Sequence, residues 1–156
     1  MPMSADKRRT ACAEALEQSA SFVLRRTARI VGQYFDEALS PVGLKATQVT
    51  LLMVIDTHPD APLHVIAETA GLSPSTLSRN LQPLINAGLI EVSGSNRLGK
   101  HALLTRQGAR TLEKAFPLWE AVQEEFTSVY GDAAWKRLKN SARRASEAIE
   151  TLREEE

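Results

Sequence analysis

The stretch Ala70-Gly71-Leu72-Ser73-Pro74 constrains this chain more tightly than any other. Glycine admits the left-handed backbone of a sharp turn, serine caps a helix, and proline tolerates the first helical position, where no N–H is needed. On either side lies a short segment with apolar residues at helical spacing. Residues 63–70 turn Val65, Ile66 and Ala70 inward, and residues 74–87 turn Leu77, Leu81, Leu84 and Ile85 inward before Gly88 stops them. Immediately afterwards residues 89–92 read as a strand, Ser93-Gly94-Ser95-Asn96 as a turn, and residues 101–104 as a return strand. The predicted order is helix, tight turn, helix, β-hairpin.

Helices flank this unit. Residues 11–39 contain no proline and only Gly32, and Leu16, Ala20, Val23, Leu24, Ile30, Val31, Tyr34, Phe35 and Leu39 recur at helical spacing. They predict one long helix, ended by Ser40-Pro41-Val42-Gly43. A further helix is expected over residues 46–57, broken by His58-Pro59-Asp60. Beyond the hairpin, Thr105 caps a helix running to about Tyr130, and Trp135, Leu138, Ala142, Ala145, Ile149 and Leu152 stripe a last one. The expected fold is therefore mainly α with a small β-hairpin wing, a winged helix-turn-helix domain flanked by N- and C-terminal dimerisation helices. Its expected parts are a disordered segment over 1–10, a dimerisation helix over 11–40, the winged helix-turn-helix domain over 41–108 and dimerisation helices over 109–156. The end helices carry more apolar surface than a small reading domain covers, so a second copy of the chain is the expected partner.

Charge points to what the domain reads. Lys+Arg and Asp+Glu both number 19, yet residues 73–110 hold Arg79, Arg97, Lys100, Arg106 and Arg110 against the single acid Glu91, a local +4. Glu147, Glu150, Glu154, Glu155 and Glu156 at the C-terminal end supply much of the balance. A basic face on a neutral chain is an electrostatic footprint for DNA. With the leucines inward, Ser75, Thr76, Arg79 and Gln82 face outward, and Asn80 lies on the flank. The helix N-terminus with the hydroxyls of Ser73, Ser75 and Thr76 suits phosphate oxygens, and Arg79 suits the O6 and N7 of guanine. At the hairpin tip, Arg97 and Lys100 suit a neighbouring minor groove. A two-fold pair of such helices implies a pseudo-palindromic duplex site with centres about 34 Å apart.

Other classes find little support. Cys12 is the only cysteine, so no intrachain disulfide framework is possible, and with no signal-like or membrane-spanning stretch a reducing cytoplasm is the expected setting. No Gly-rich phosphate loop, nucleophile elbow or metalloprotease motif is present, so neither an enzyme nor a cofactor is expected. His58, His64 and His101 stand outside any zinc-ligand spacing, and no metal is expected. Phe22, Arg26, Arg29 and Tyr34, with His58, form a candidate pocket for a small aromatic or anionic effector, and His101 lies near enough to the hairpin to reach a phosphate.

The runs Gly43-Leu44-Lys45-Ala46-Thr47-Gln48-Val49-Thr50-Leu51-Leu52, Leu77-Ser78-Arg79-Asn80-Leu81-Gln82-Pro83-Leu84, Gly88-Leu89-Ile90-Glu91 and Leu103-Leu104-Thr105-Arg106-Gln107-Gly108 resemble, in order and spacing, the MarR family of bacterial regulators. The resemblance covers residues 24–119. It implies an obligate dimer built from the first and last helices, a recognition helix in the major groove, a wing in the minor groove and a small-molecule site where the dimer helices meet the reading domain. The function it implies is a homodimeric, sequence-specific transcriptional regulator, a repressor released by its effector. Two features depart from the pattern. The wing stretch, residues 93–100, lacks the acid that pairs with the wing arginine, here Arg97. Cys12 lies about nine residues before the peroxide-sensing position of one branch, where this chain has Ser21, so a structural cysteine is expected. An architectural DNA binder without an effector and a protein–protein adaptor remain the alternative classes.

Overall fold

The computed structural model describes residues 3–95 and 99–154. Its elements are α1 (Ala5–Gln18), α2 (Ala20–Leu39), a 3-10 turn (Ser40–Val42), α3 (Ala46–Thr57), α4 (Leu63–Thr69), α5 (Pro74–Asn86), β1 (Ile90–Ser95), β2 (Gly99–Leu104), α6 (Arg106–Tyr130) and α7 (Asp132–Glu154). They fall into two compact units, Met1–Phe116 and Pro117–Glu156.

The first unit is built on a leucine-rich core. Leu39 of α2, Val49, Leu51, Leu52 and Ile55 of α3, Ile66 of α4, and Leu77, Leu81 and Leu84 of α5 are buried together with Ile90 and Ala102 of the hairpin. α3 is the hub, packing against α2, α4, α5 and β2. The hairpin is antiparallel, in register from Ile90 opposite Leu104 to Ser95 opposite Gly99. An isolated bridge between Pro62 and His101 adds a third chain segment at the base of the hairpin. In the second unit Phe126 stacks on Tyr130 at 5.5 Å and meets Trp135 edge-on at 5.6 Å, with the Lys139 ammonium 5.4 Å from the Trp135 ring centre.

Four expectations are corrected. The segment over 1–10 is not disordered where described, because α1 begins at Ala5: Ser4 Oγ accepts the Lys7 N–H at 3.4 Å, and Asp6 suits the positive end of the first turn. The single helix over 11–39 is two helices. Ser19 ends α1, its N–H donating to the Leu16 carbonyl, and starts α2, its Oγ accepting the Phe22 N–H at 3.2 Å. Ile85 is 36% exposed. It sits about 80° around the helix from Leu77, at the margin of the stripe that Leu77, Leu81 and Leu84 define. The hairpin strands also run further than expected, since Gly94 takes φ 104° inside β1, so Ser93-Gly94-Ser95 is strand and not turn.

Candidate nucleic-acid interface

Helix α5 is fixed at both ends by local chemistry. Gly71 at φ 65° turns the chain, and the Leu72 N–H returns to the Ala67 carbonyl at 2.8 Å. Ser73 Oγ then accepts the Thr76 N–H at 3.3 Å and shares hydrogen bonds with the hydroxyls of Thr76 (2.8 Å) and Ser75 (3.2 Å). This chain of hydroxyls sits on the positive end of the helix. At the far end Gly88 takes φ 68° and the Leu89 N–H closes onto the Leu84 carbonyl. Inside α5, Pro83 has no N–H to give the Arg79 carbonyl.

With three leucines holding the inner side, the outer side of α5 is polar. Ser75, Arg79 and Gln82 are exposed on one stripe, and Thr76 and Asn80 are half-buried. Ser78 shares the outer stripe, three residues from Ser75 and four from Gln82, although the sequence assigns it no contact beyond its place in the family-like run. Gln82 Nε2 donates to Asn86 Oδ1 at 2.8 Å, so these two present a joined amide pair. Asn80 instead lines a cleft of about 330 Å³ against α3, with Lys45, Thr47, Gln48, Leu51 and Pro83.

Lys100 is exposed on β2 opposite Gly94. Arg97 lies outside the described residues. His101 does not reach outward as expected. Its Nδ1 pairs with the Asp60 carbonyl at 2.6 Å, tying the hairpin to the α3–α4 connection.

The hairpin and α5 are joined through the start of α6. Thr105 donates its N–H to the Leu89 carbonyl (3.0 Å) and its hydroxyl to the Gly88 carbonyl (2.7 Å), then accepts the Gly108 N–H at 3.0 Å. Gln107 Nε2 reaches the Ala87 carbonyl at 3.3 Å. Gly108 lies so close to the Leu89 backbone that any side chain would overlap its carbonyl.

The expected effector residues do not form one group. Phe22, Arg26 and Arg29 line an open cleft of about 480 Å³ on α2, with Ser19, Ser21 and Arg25. Tyr34 and His58 are not among its lining residues. Tyr34 meets Phe35 edge-on at 6.4 Å, and His58 Nδ1 sits 3.0 Å from the Val54 carbonyl at the end of α3. Arg25, missed in the sequence reading, belongs to the cleft because it follows Phe22 by three residues. Cys12, expected to be buried or half-exposed, is instead exposed on α1, where no core lies beside it. Among the described residues no group of three His, Cys, Asp or Glu side chains is placed to hold a metal ion, and no single helix is long and apolar enough to cross a membrane.

Two short helices across a glycine turn, the second capped and polar on its outer side and followed by an antiparallel hairpin, define a winged helix-turn-helix protein. The MarR family model matches residues 42–97. The Mycobacterium tuberculosis transcriptional regulator MosR, solved in complex with DNA, is 37% identical over 86% of this chain and 98% of its own, with a TM-score of 0.78. The chain belongs to the MarR family. The same fold is seen in the transcriptional repressor CouR bound to p-coumaroyl-CoA (23% identity, 85% of this chain and 94% of that one, TM-score 0.73). It recurs in the Streptomyces coelicolor regulator PcaV with its natural ligand (18% identity, 86% and 96%, TM-score 0.74). No curated protein matches the chain.

Proposed function

We propose that this chain is a homodimeric, sequence-specific DNA-binding repressor, released by a small aromatic or anionic effector and acting in the cytoplasm. The observation that carries the reading is the outer stripe of α5, with Arg79 exposed between a hydroxyl-rich positive end and the Gln82–Asn86 pair. Arg79 serves as the guanine reader, Ser73, Ser75 and Thr76 as phosphate contacts, and Lys100 with Arg97 as the wing contacts. Asn80, at the flank of α5, lines the cleft against α3. The DNA complex of MosR, at 37% identity, supports the choice of partner.

Dimerisation is supported by apolar surface in each unit. Phe22, Val23, Leu24 and Ile30 of α2 stand 45–52% exposed, and Ile149 and Leu152 of α7 stand 52% and 60% exposed. A second copy covering both removes this surface from water. Residues 41–108 then form the reading domain, with the helices before and after it joining the copies. The arginine-lined cleft on α2 supports an anionic effector, and the ligand complexes of CouR and PcaV show that the fold holds small molecules in those proteins.

The test is binding to a labelled duplex from the gene's own upstream region beside a shuffled duplex, across a salt series. Preference for the native duplex, a steep salt slope and two chains per site are expected. Arg79→Ala should lower that preference by about 1–3 kcal/mol, roughly 5- to 150-fold, while affinity for the shuffled duplex changes little. Equal binding to both duplexes would mark an architectural binder. Absence of binding to either at low salt would overturn the proposal.

A further inference from the structure

We infer that Asp36 is the positioning residue that fixes the DNA-reading module onto α2 and thereby sets the separation of the two recognition helices. The inference rests on the dimeric reading above. Asp36 Oδ1 accepts the backbone N–H of Ala46 at 2.7 Å, a part-buried contact spanning ten residues of sequence. Helix α3 needs an outside acceptor there. The residue that should cap it is Lys45, whose ammonium carries no acceptor, and Gln48 Oε1 serves only the Lys45 N–H, at 2.8 Å. Asp36 therefore supplies from α2 the cap that the local sequence cannot.

The contact is placed to transmit position. Helix α2 is unbroken from Ala20 to Leu39, and its buried anchors Phe35 and Leu39 flank Asp36. Phe22, Arg25 and Arg29 precede Asp36 by fourteen, eleven and seven residues, so all four lie on one stripe, with Arg29 about two turns, roughly 10 Å, away. On the other side of the contact, α3 packs directly on α4, α5 and β2. A shift of the first turn of α3 against α2 thus moves the whole reading module against the dimer helix. In a two-fold dimer such a shift changes the distance between recognition helices without changing either reading surface.

The experiment maps the operator by footprinting on the upstream duplex. It then measures affinity for that operator, for a version with two base pairs inserted between half-sites, and for a single half-site. Wild type should lose at least about tenfold on the insertion, because the second module leaves the groove. Asp36→Ala should bind the native operator about tenfold more weakly, because the two modules no longer hold the separation the operator requires and must be ordered on binding. It should also discriminate less than about threefold between spacings, and bind the single half-site as wild type does. Asp36→Glu keeps the charge but lengthens the arm, so it should fold even if the alanine variant does not, and should shift the preferred spacing. Wild-type spacing preference in a folded alanine variant, or in the glutamate variant, would overturn the inference and leave the regulator reading intact. Failure of wild type to bind any duplex would instead remove the regulator reading.

Discussion

Replacing Gly108 with alanine separates two physical effects that act in opposite directions. Gly108 lies in the first turn of α6, and in an open helix alanine is favoured over glycine by about 1 kcal/mol. Here the added methyl would overlap the Leu89 carbonyl oxygen and lie 2.9 Å from its carbon, both backbone atoms with little room to yield. Relief requires the Leu89 backbone and α6 to separate, which stretches the Thr105 bonds to Leu89 and Gly88, at 3.0 and 2.7 Å. Overpacking costs about 1–3 kcal/mol, and two weakened hydrogen bonds add about 1 kcal/mol each. Set against the helical gain, the variant should be about 2–4 kcal/mol less stable. For a chain of this length that lowers Tm by roughly 4–16 °C. Thermal unfolding followed by circular dichroism, at one fixed protein concentration because dimers are stabilised by mass action, reads the shift. A Tm equal to or above wild type would show that the close approach of α6 to Leu89 does not constrain the fold, and would refute the reasoning.

Two further outcomes are expected. Ser73→Ala removes the cap of α5, should cost about 1 kcal/mol and lower Tm by roughly 2–4 °C, while Ser73→Asp should restore Tm yet weaken DNA binding by placing a carboxylate among phosphates. Lys100→Ala should weaken binding to native and shuffled duplexes alike and reduce the salt slope by about one, measured by anisotropy titrations at several ionic strengths.

What the sequence made legible follows from where the determinants lie. The ends of α5 are written locally, by Gly71, Ser73, Pro74 and Gly88, and the structure uses each at the expected place. The α1–α2 break was hidden because Ser19 is neither glycine nor proline and stands among Gln18, Ala20 and Ser21, all compatible with helix. Ser4 is a capping residue type, but the polar composition of the first ten residues offers no apolar stripe that would announce a helix behind it. The effector set failed for a different reason. Phe22, Arg26 and Arg29 share a helix and so share a cleft, whereas grouping them with His58 required a tertiary contact. That histidine instead satisfies a carbonyl on its own helix, a use that spacing cannot distinguish from ligand binding.

The motif residues that carried the family resemblance divide into two kinds once their contacts are known. Thr105, Gln107 and Gly108 spend their polar atoms and their small size on the backbone of Ala87, Gly88 and Leu89, so they hold the end of α5 and the start of the hairpin to α6. Leu77, Leu81 and Leu84 hold its inner side. None of these residues stands on the exposed outer stripe of α5. The residues that do, Ser75, Ser78, Arg79 and Gln82, are exposed and pack into no core. A protein can therefore keep the whole first set and exchange the second without strain. This is why the fold could be read from the sequence while an operator could not: the packed residues determine how α5 is mounted, and the exposed ones, which the proposal assigns to DNA, leave no trace in the packing.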